Sequence, residues 1–177
     1  GGTGPIGTEF GKTKDELYER WREAATANGY EFTPDLNGDK GAGFGRSQYT
    51  IRNGRRASTS RAYLKPISGR SNLQVITGVH VSKILFRQSR AIGIEYITGC
   101  NIVHVEAVKE VLLCGGTYNT PQVLMLSGIG RPDHLKELGI HSWLDLPVGE
   151  NLQDHVVAQL WYERNGAGPF LVVSMLM

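Results

Sequence analysis

The residues best placed to do chemistry are Gly115-Gly116-Thr117-Tyr118-Asn119-Thr120-Pro121. They follow a short apolar run, Glu110-Val111-Leu112-Leu113-Cys114, whose unbroken hydrophobicity predicts a strand buried on both faces of a parallel sheet. Asn119 or Thr120 is a candidate cap for a helix opening at Pro121, where a missing N–H costs nothing. Paired glycines between such a strand and helix let backbone approach something bulky. The carboxyl edge of an α/β sheet is also where cofactors lie. Glycine at such a turn equally serves plain helix–strand packing, so the spacing alone leaves both roles open.

Gly2-Thr3-Gly4-Pro5-Ile6-Gly7 matches G-x-G-x-x-G literally. The dinucleotide loop requires a strand before it and a helix opening within it. No strand-like run precedes Gly2, Pro5 restricts the turn, and the next helical pattern starts only near Thr13. A glycine-rich surface or lid segment is the better reading. No metal site is expected: His134 and His141 have no ligand spacing with a carboxylate or cysteine, and His80 and His104 fall in strand patterns. Asp154-His155 is a pair that could orient a base. Cys100 and Cys114 are two thiols, too few for a disulfide framework or a thiolate metal site. Neither the G-x-S-x-G elbow nor the H-E-x-x-H helix occurs, so hydrolase chemistry gains no support.

Several elements must hold these residues in place. Thr13-Lys14-Asp15-Glu16 has capping-box spacing, Leu17, Trp21, Ala24 and Ala25 recur on one helical face, and Asn28-Gly29 supplies a left-handed stop. Turn chemistry fills 34–45. Gln48 to Ile51 suits a short strand before the turn Asn53-Gly54. The basic run Arg52 to Arg61 is read as a solvated flank leading into a helix near Ser58, rather than as an anion patch. From 72 to 115 the chain is strand-rich: Leu73 to Thr77, then Val79 to Phe86, Ile92 to Tyr96 and Val103 to Ala107 with period-two alternation, forming a meander. A second short helix spans Pro132 to Leu138 with Gly139 as its stop, and Phe170 to Met177 reads as a strand.

Composition agrees with a folded protein. The 177 residues are 40% apolar and 20% charged, with 23 glycines and a formal charge of +2. Near-balanced charge gives no support to nucleic acid or an anionic membrane as partner. No apolar run reaches membrane-spanning length. No leader is visible, and no compartment is indicated. The chain starts and stops inside patterned sequence, which gives the expectation of an internal portion of a longer protein.

Gly116 to Gly130, read as G-T-Y-N-T-P-Q-V-L-M-L-S-G-I-G, resembles the second signature of the glucose–methanol–choline (GMC) oxidoreductases. Asn53-Gly54-Arg55-Arg56, Ala62-Tyr63-Leu64-Lys65-Pro66, Asn72-Leu73-Gln74-Val75 and Gly149 to His155 are similar to further family segments, in the family's order. The resemblance implies an α/β fold: part of an FAD-binding Rossmann-like domain interleaved with an antiparallel-sheet substrate domain. Residues 1–66 would belong to the substrate domain and connecting segments, 67–150 to the FAD-binding domain, and 151–177 would return to the substrate domain.

The implied cofactor is FAD. The strand containing Val81 resembles the one whose backbone meets the FAD adenine, and Gly115 and Gly116 resemble the pair that passes close to the cofactor's central region. Ser127, Gly128 and Gly130 would shape the helix exit. The implied reaction oxidises a small-molecule alcohol: a base takes the hydroxyl proton while hydride passes from carbon to flavin N5, and oxygen, a quinone or another acceptor then takes the electrons. By resemblance the catalytic histidine and the phosphate-binding glycine loop lie outside this chain, so no catalytic residue is assigned. Two other readings of the residues stay open, a non-catalytic product acting through binding and a nicotinamide-dependent Rossmann enzyme.

Overall fold

A computed structural model of the chain describes residues 3–11 and 16–161. They divide into two compact units, one running to Gln74 and the other Val75–Gln159.

In the first unit, β1 (Glu9–Phe10) pairs antiparallel with β2 (Gln48–Tyr49). Helix α1 spans Leu17–Ala27. The expected cap at Thr13 and the strand at Phe170 to Met177 lie outside the described residues, as does Gly2 of the G-x-G-x-x-G match. At the other end of α1 the expected stop is present. Gly29 has φ +82°, its N–H reaches Thr26 O at 3.0 Å, and Tyr30 N–H reaches Ala25 O at 3.0 Å. That is the double bond pattern of a glycine-terminated helix. The hairpin of β3 (Ile51–Arg52) and β4 (Arg55–Arg56) turns at Asn53 and Gly54, with φ of 52° and 70°, as a two-residue turn demands. A π-helical turn, Ser60–Leu64, then runs into α2 (Lys65–Ile67).

The second unit is built on the meander. Strands β5 (His80–Arg87), β6 (Arg90–Thr98) and β7 (Asn101–Glu106) form one antiparallel sheet in the order β5-β6-β7. Gly93 is buried in the middle strand because a Cβ there would overlap the Val105 carbonyl oxygen. Helices α3 (Gly116–Leu126) and α4 (Pro132–Glu137) follow, each closed by a positive-φ glycine, Gly128 or Gly139. The core consists of Ile84 on β5, Val123 on α3, Ile129 between the helices, and Leu135 on α4, which is 0% exposed.

Three expectations need correction. Leu73 to Thr77 forms no strand. Neither does Glu110 to Cys114, which runs extended without a ladder partner and leaves Leu112 76% exposed. A strand needs a neighbour for its backbone groups, and among the described residues no parallel neighbour stands beside either run. Finally, α3 opens at Gly116 rather than Pro121, which sits inside the helix. The chain turns into the helix at Gly115-Gly116 itself, so Asn119 and Thr120 fall in the helical body instead of capping it.

Candidate functional site

A cleft of about 420 Å³ lies within the second unit, inside the range of roughly 300–1,000 Å³ typical of small-molecule sites. Its walls are Val79, His80 and Val81 at the start of β5, Ile94 on β6, the run Val111–Gly115, and Asn119, Thr120, Gln122 and Val123 of α3. Two of the three residues singled out from the sequence, Val81 and Gly115, therefore share one cleft. Gly116 adjoins it as the first residue of α3.

The two glycines do different work. A Cβ on Gly115 would stand 3.1 Å from Asn119 Cβ and 3.2 Å from Thr120 N, so Gly115 lets the helix start fold back tightly. Gly116 has φ +82° and open space where a Cβ would project. Its backbone conformation requires glycine, and no described residue crowds it.

Val81 reaches the cleft through an irregularity in β5. The ladder runs Val81↔Tyr96, then Lys83↔Glu95 and Ile84↔Ile94, with a register shift at Ser82. On the sheet face away from the cleft, Glu95 gathers donors from both neighbouring strands. Ser82 Oγ donates to Glu95 Oε1 at 2.8 Å and to its carbonyl oxygen at 3.1 Å. Lys83 Nζ donates to Oε2 at 3.2 Å, and His104 Nε2 lies 2.9 Å from the same oxygen. The Glu95 side chain is 12% exposed. The Ser82 hydroxyl first, then His104 and Lys83, hold its carboxyl below the ordinary carboxylate value, against a smaller opposing effect of desolvation.

The far end of α3 is tied to the same strand. Ile84 N–H donates to Ser127 Oγ at 2.8 Å, and Ser127 Oγ–H donates to Val123 O. Trp143 Nε1–H donates to Ser127 O at 3.0 Å, while its ring meets Phe86 edge-on at 5.0 Å. The expectation that Ser127, Gly128 and Gly130 shape the helix exit agrees with these contacts. A Cβ on Gly128 would sit 2.6 Å from His141 O, and one on Gly130 would sit 3.3 Å from Met125.

Glu95 and Trp143 drew no attention in the sequence. Glu95 had a usable signal, an acid between Ile94 and Tyr96 in an alternating strand. Trp143 had none, since it lies in an irregular stretch. Of the other candidates, His80 lines the cleft beside Val79 and Val81, and the other histidines are absent from its walls. His155 N–H bonds Asp154 Oδ1 at 2.7 Å in a local turn. Among the described residues no three metal-binding side chains gather, and no helix is long and apolar enough to cross a membrane. The basic run lies in the first unit, where exposed Arg52, Arg55, Arg56, Arg61 and Lys65 line a separate open cleft of about 610 Å³.

An antiparallel meander backed by a helix that opens at paired glycines, with a cleft at that opening, defines a mixed α/β protein. A family profile described as GMC oxidoreductase matches residues 3–157, and the chain belongs to that family. It is 44% identical over 157 residues to the mitochondrial choline dehydrogenase of Mus musculus, covering 88% of this chain and 26% of that protein. It is 40% identical over 177 residues to the oxygen-dependent choline dehydrogenase of Brucella ovis, covering 99% of this chain and 32% of that one. Among solved structures, an FAD-dependent oxidoreductase from Chaetomium thermophilum superposes with a TM-score of 0.76 at 35% identity, covering 83% of this chain and 26% of that one. The chain thus spans about a quarter to a third of the length of the relatives it matches.

Proposed function

We propose that this chain supplies the cofactor-facing part of an FAD-dependent oxidoreductase that oxidises the CH–OH group of a small alcohol. The observation that carries the reading is the meeting of Val81 and Gly115 in one cleft, with Gly116 adjoining it. The residues fit an FAD: the cleft is walled mainly by apolar side chains, β5 is a sheet edge, and a positive-φ glycine faces open space. Val81 would line the adenine end, and Gly115-Gly116 would pass beside the cofactor's central region. Residues 67–150 belong, in this reading, to the FAD-binding portion, with 1–66 and 151–177 on the substrate side.

When bound, the flavin supplies the hydride acceptor. This chain's own contribution is binding and orientation. The valines and the exposed leucine of Val111–Gly115 exclude water from one face, and the glycine turn sets the distance of approach. The alcohol loses a hydride from carbon and a proton from oxygen. The base that takes the proton is assigned to no residue of this chain: the cleft holds no carboxylate, and the one imidazole on its wall is that of His80. Oxygen or a quinone is the expected final electron acceptor.

The chain on its own is expected to hold FAD weakly and to turn over no alcohol. Pyrophosphate is normally held by backbone N–H groups at a helix N-terminus in a first βαβ unit, and Gly4 to Gly7 precede the two-residue strand β1 instead. The test titrates the chain with FAD and assays an alcohol panel with an artificial acceptor, beside a protein of the relatives' length that carries this sequence. Flavin-dependent alcohol turnover by the longer protein alone is the expected result. A longer protein without flavin, or turnover by the chain itself, would overturn the reading.

A further inference from the structure

We propose that Glu95 is a positioning residue for the cofactor: its carboxylate holds the one-residue bulge at Ser82 that turns Val81 toward the cleft. The inference rests on the reading that the Val81 cleft takes FAD. In a regular strand, successive side chains point to opposite faces. Ser82 and Lys83 break that rule, because both reach the same Glu95 carboxylate. The extra residue is the register shift between Val81↔Tyr96 and Lys83↔Glu95.

A single inserted residue moves every side chain before it to the other face. Val81 pairs with Tyr96, and Ile84 pairs with Ile94. Tyr96 and Ile94 are two residues apart on β6, so Val81 and Ile84 share the face that packs on α3. Without the bulge, Val81 would stand with Lys83 on the Glu95 face and leave the cleft. Bulges recur beside functional sites because they re-aim a side chain, and an unpaired residue needs something to hold it. The Ser82 hydroxyl is held by Glu95 through both backbone and side chain. Lys83 of β5 and His104 of β7 are the charged or titratable groups that meet the carboxylate from the flanking strands.

The experiment uses a protein of the relatives' length that carries this sequence, and measures FAD dissociation by flavin fluorescence from neutral pH down well below the ordinary carboxylate value of 4.5. For the unaltered protein the account expects FAD affinity to fall as pH drops through the Glu95 titration. Glu95→Gln should weaken FAD about tenfold at neutral pH, the scale of losing hydrogen bonds to a charged group, and flatten the acid limb. His104→Gln should leave that limb in place, which ties the limb to the Glu95 carboxylate. Deleting Ser82 should weaken FAD by far more than Ser82→Ala, with the far-ultraviolet spectrum checking that the sheet persists. An unaltered protein that binds no FAD overturns the cleft reading and the inference with it. A protein that binds FAD, with Glu95→Gln and the Ser82 deletion folded and equal to it in affinity, overturns the inference alone. A Glu95→Gln variant that loses thermal stability but keeps its FAD affinity marks Glu95 as purely structural, and also overturns it.

Discussion

Ser127 and Ile84 are joined across the fold: the Ile84 amide, on a residue 6% exposed, donates to the Ser127 hydroxyl at 2.8 Å. The hydroxyl in turn donates a hydrogen bond to Val123 O. One side chain thus satisfies an outward-facing amide of the edge strand and staples the last turn of α3 to it. Ser127→Ala leaves that amide without its partner, which costs about 1–3 kcal/mol. Urea unfolding of the purified chain should show the midpoint fall with the slope unchanged. A midpoint unmoved by the substitution would mean the amide finds another acceptor.

Gly128 and Gly139 separate backbone strain from crowding. Both close a helix at positive φ, 84° and 71°. A Cβ on Gly139 meets open space, whereas one on Gly128 would stand 2.6 Å from His141 O and 2.8 Å from Trp143 Cδ1. Gly139→Ala should cost about 1–2 kcal/mol, the left-handed penalty alone. Gly128→Ala should cost clearly more and disturb the Trp143 environment. Denaturation followed by tryptophan fluorescence reads both effects.

Leu135 is the fully buried side chain of α4. Leu135→Ala should destabilise the second unit by about 2–5 kcal/mol, the usual range for a buried leucine. Thermal melting monitored by circular dichroism checks this, with exposed Leu138→Ala, at 59% exposure, as the control expected to change little.

Acid should weaken the sheet through Glu95. Its carboxyl titrates below the ordinary value of 4.5 in the folded chain, so the folded state favours the ionised form. That stabilisation is complete above the unfolded-state value and is lost as pH falls through the folded one. The difference in melting temperature between the unaltered chain and Glu95→Gln should therefore be largest above about pH 5 and shrink at lower pH. A difference independent of pH would assign the loss to packing.

Much of the second unit was legible because its signals are local. Period-two alternation announced β6 and β7, a β-branched and apolar-rich run announced β5, and glycines after helical patterns announced the ends of α1, α3 and α4. The extended runs Leu73 to Thr77 and Glu110 to Cys114 were misread as strands because a strand depends on a partner that local hydrophobicity does not reveal. The start of α3 was misplaced for a related reason: Pro121 favours a first turn, but the tight fold of Gly115 against Asn119 and Thr120 decides where the helix opens. The glycine pair stood out by its place between an apolar run and a helical pattern, Val81 by resemblance alone, and the fold brings Val81 and Gly115 together in the cleft. The Ser82 bulge, which gives Val81 its direction, follows from a three-strand contact, and its one local trace is the polar pair Ser82-Lys83 where the apolar positions shift from Val79 and Val81 to Ile84 and Phe86.

The most direct test of the central claim is amide hydrogen exchange, with and without FAD, on a protein of the relatives' length that carries this sequence. The account predicts that FAD slows exchange at Val79–Val81 and along Val111–Gly116, and leaves Leu17–Ala27 unchanged. Protection confined to other segments, with those two runs unaffected by bound FAD, would contradict it.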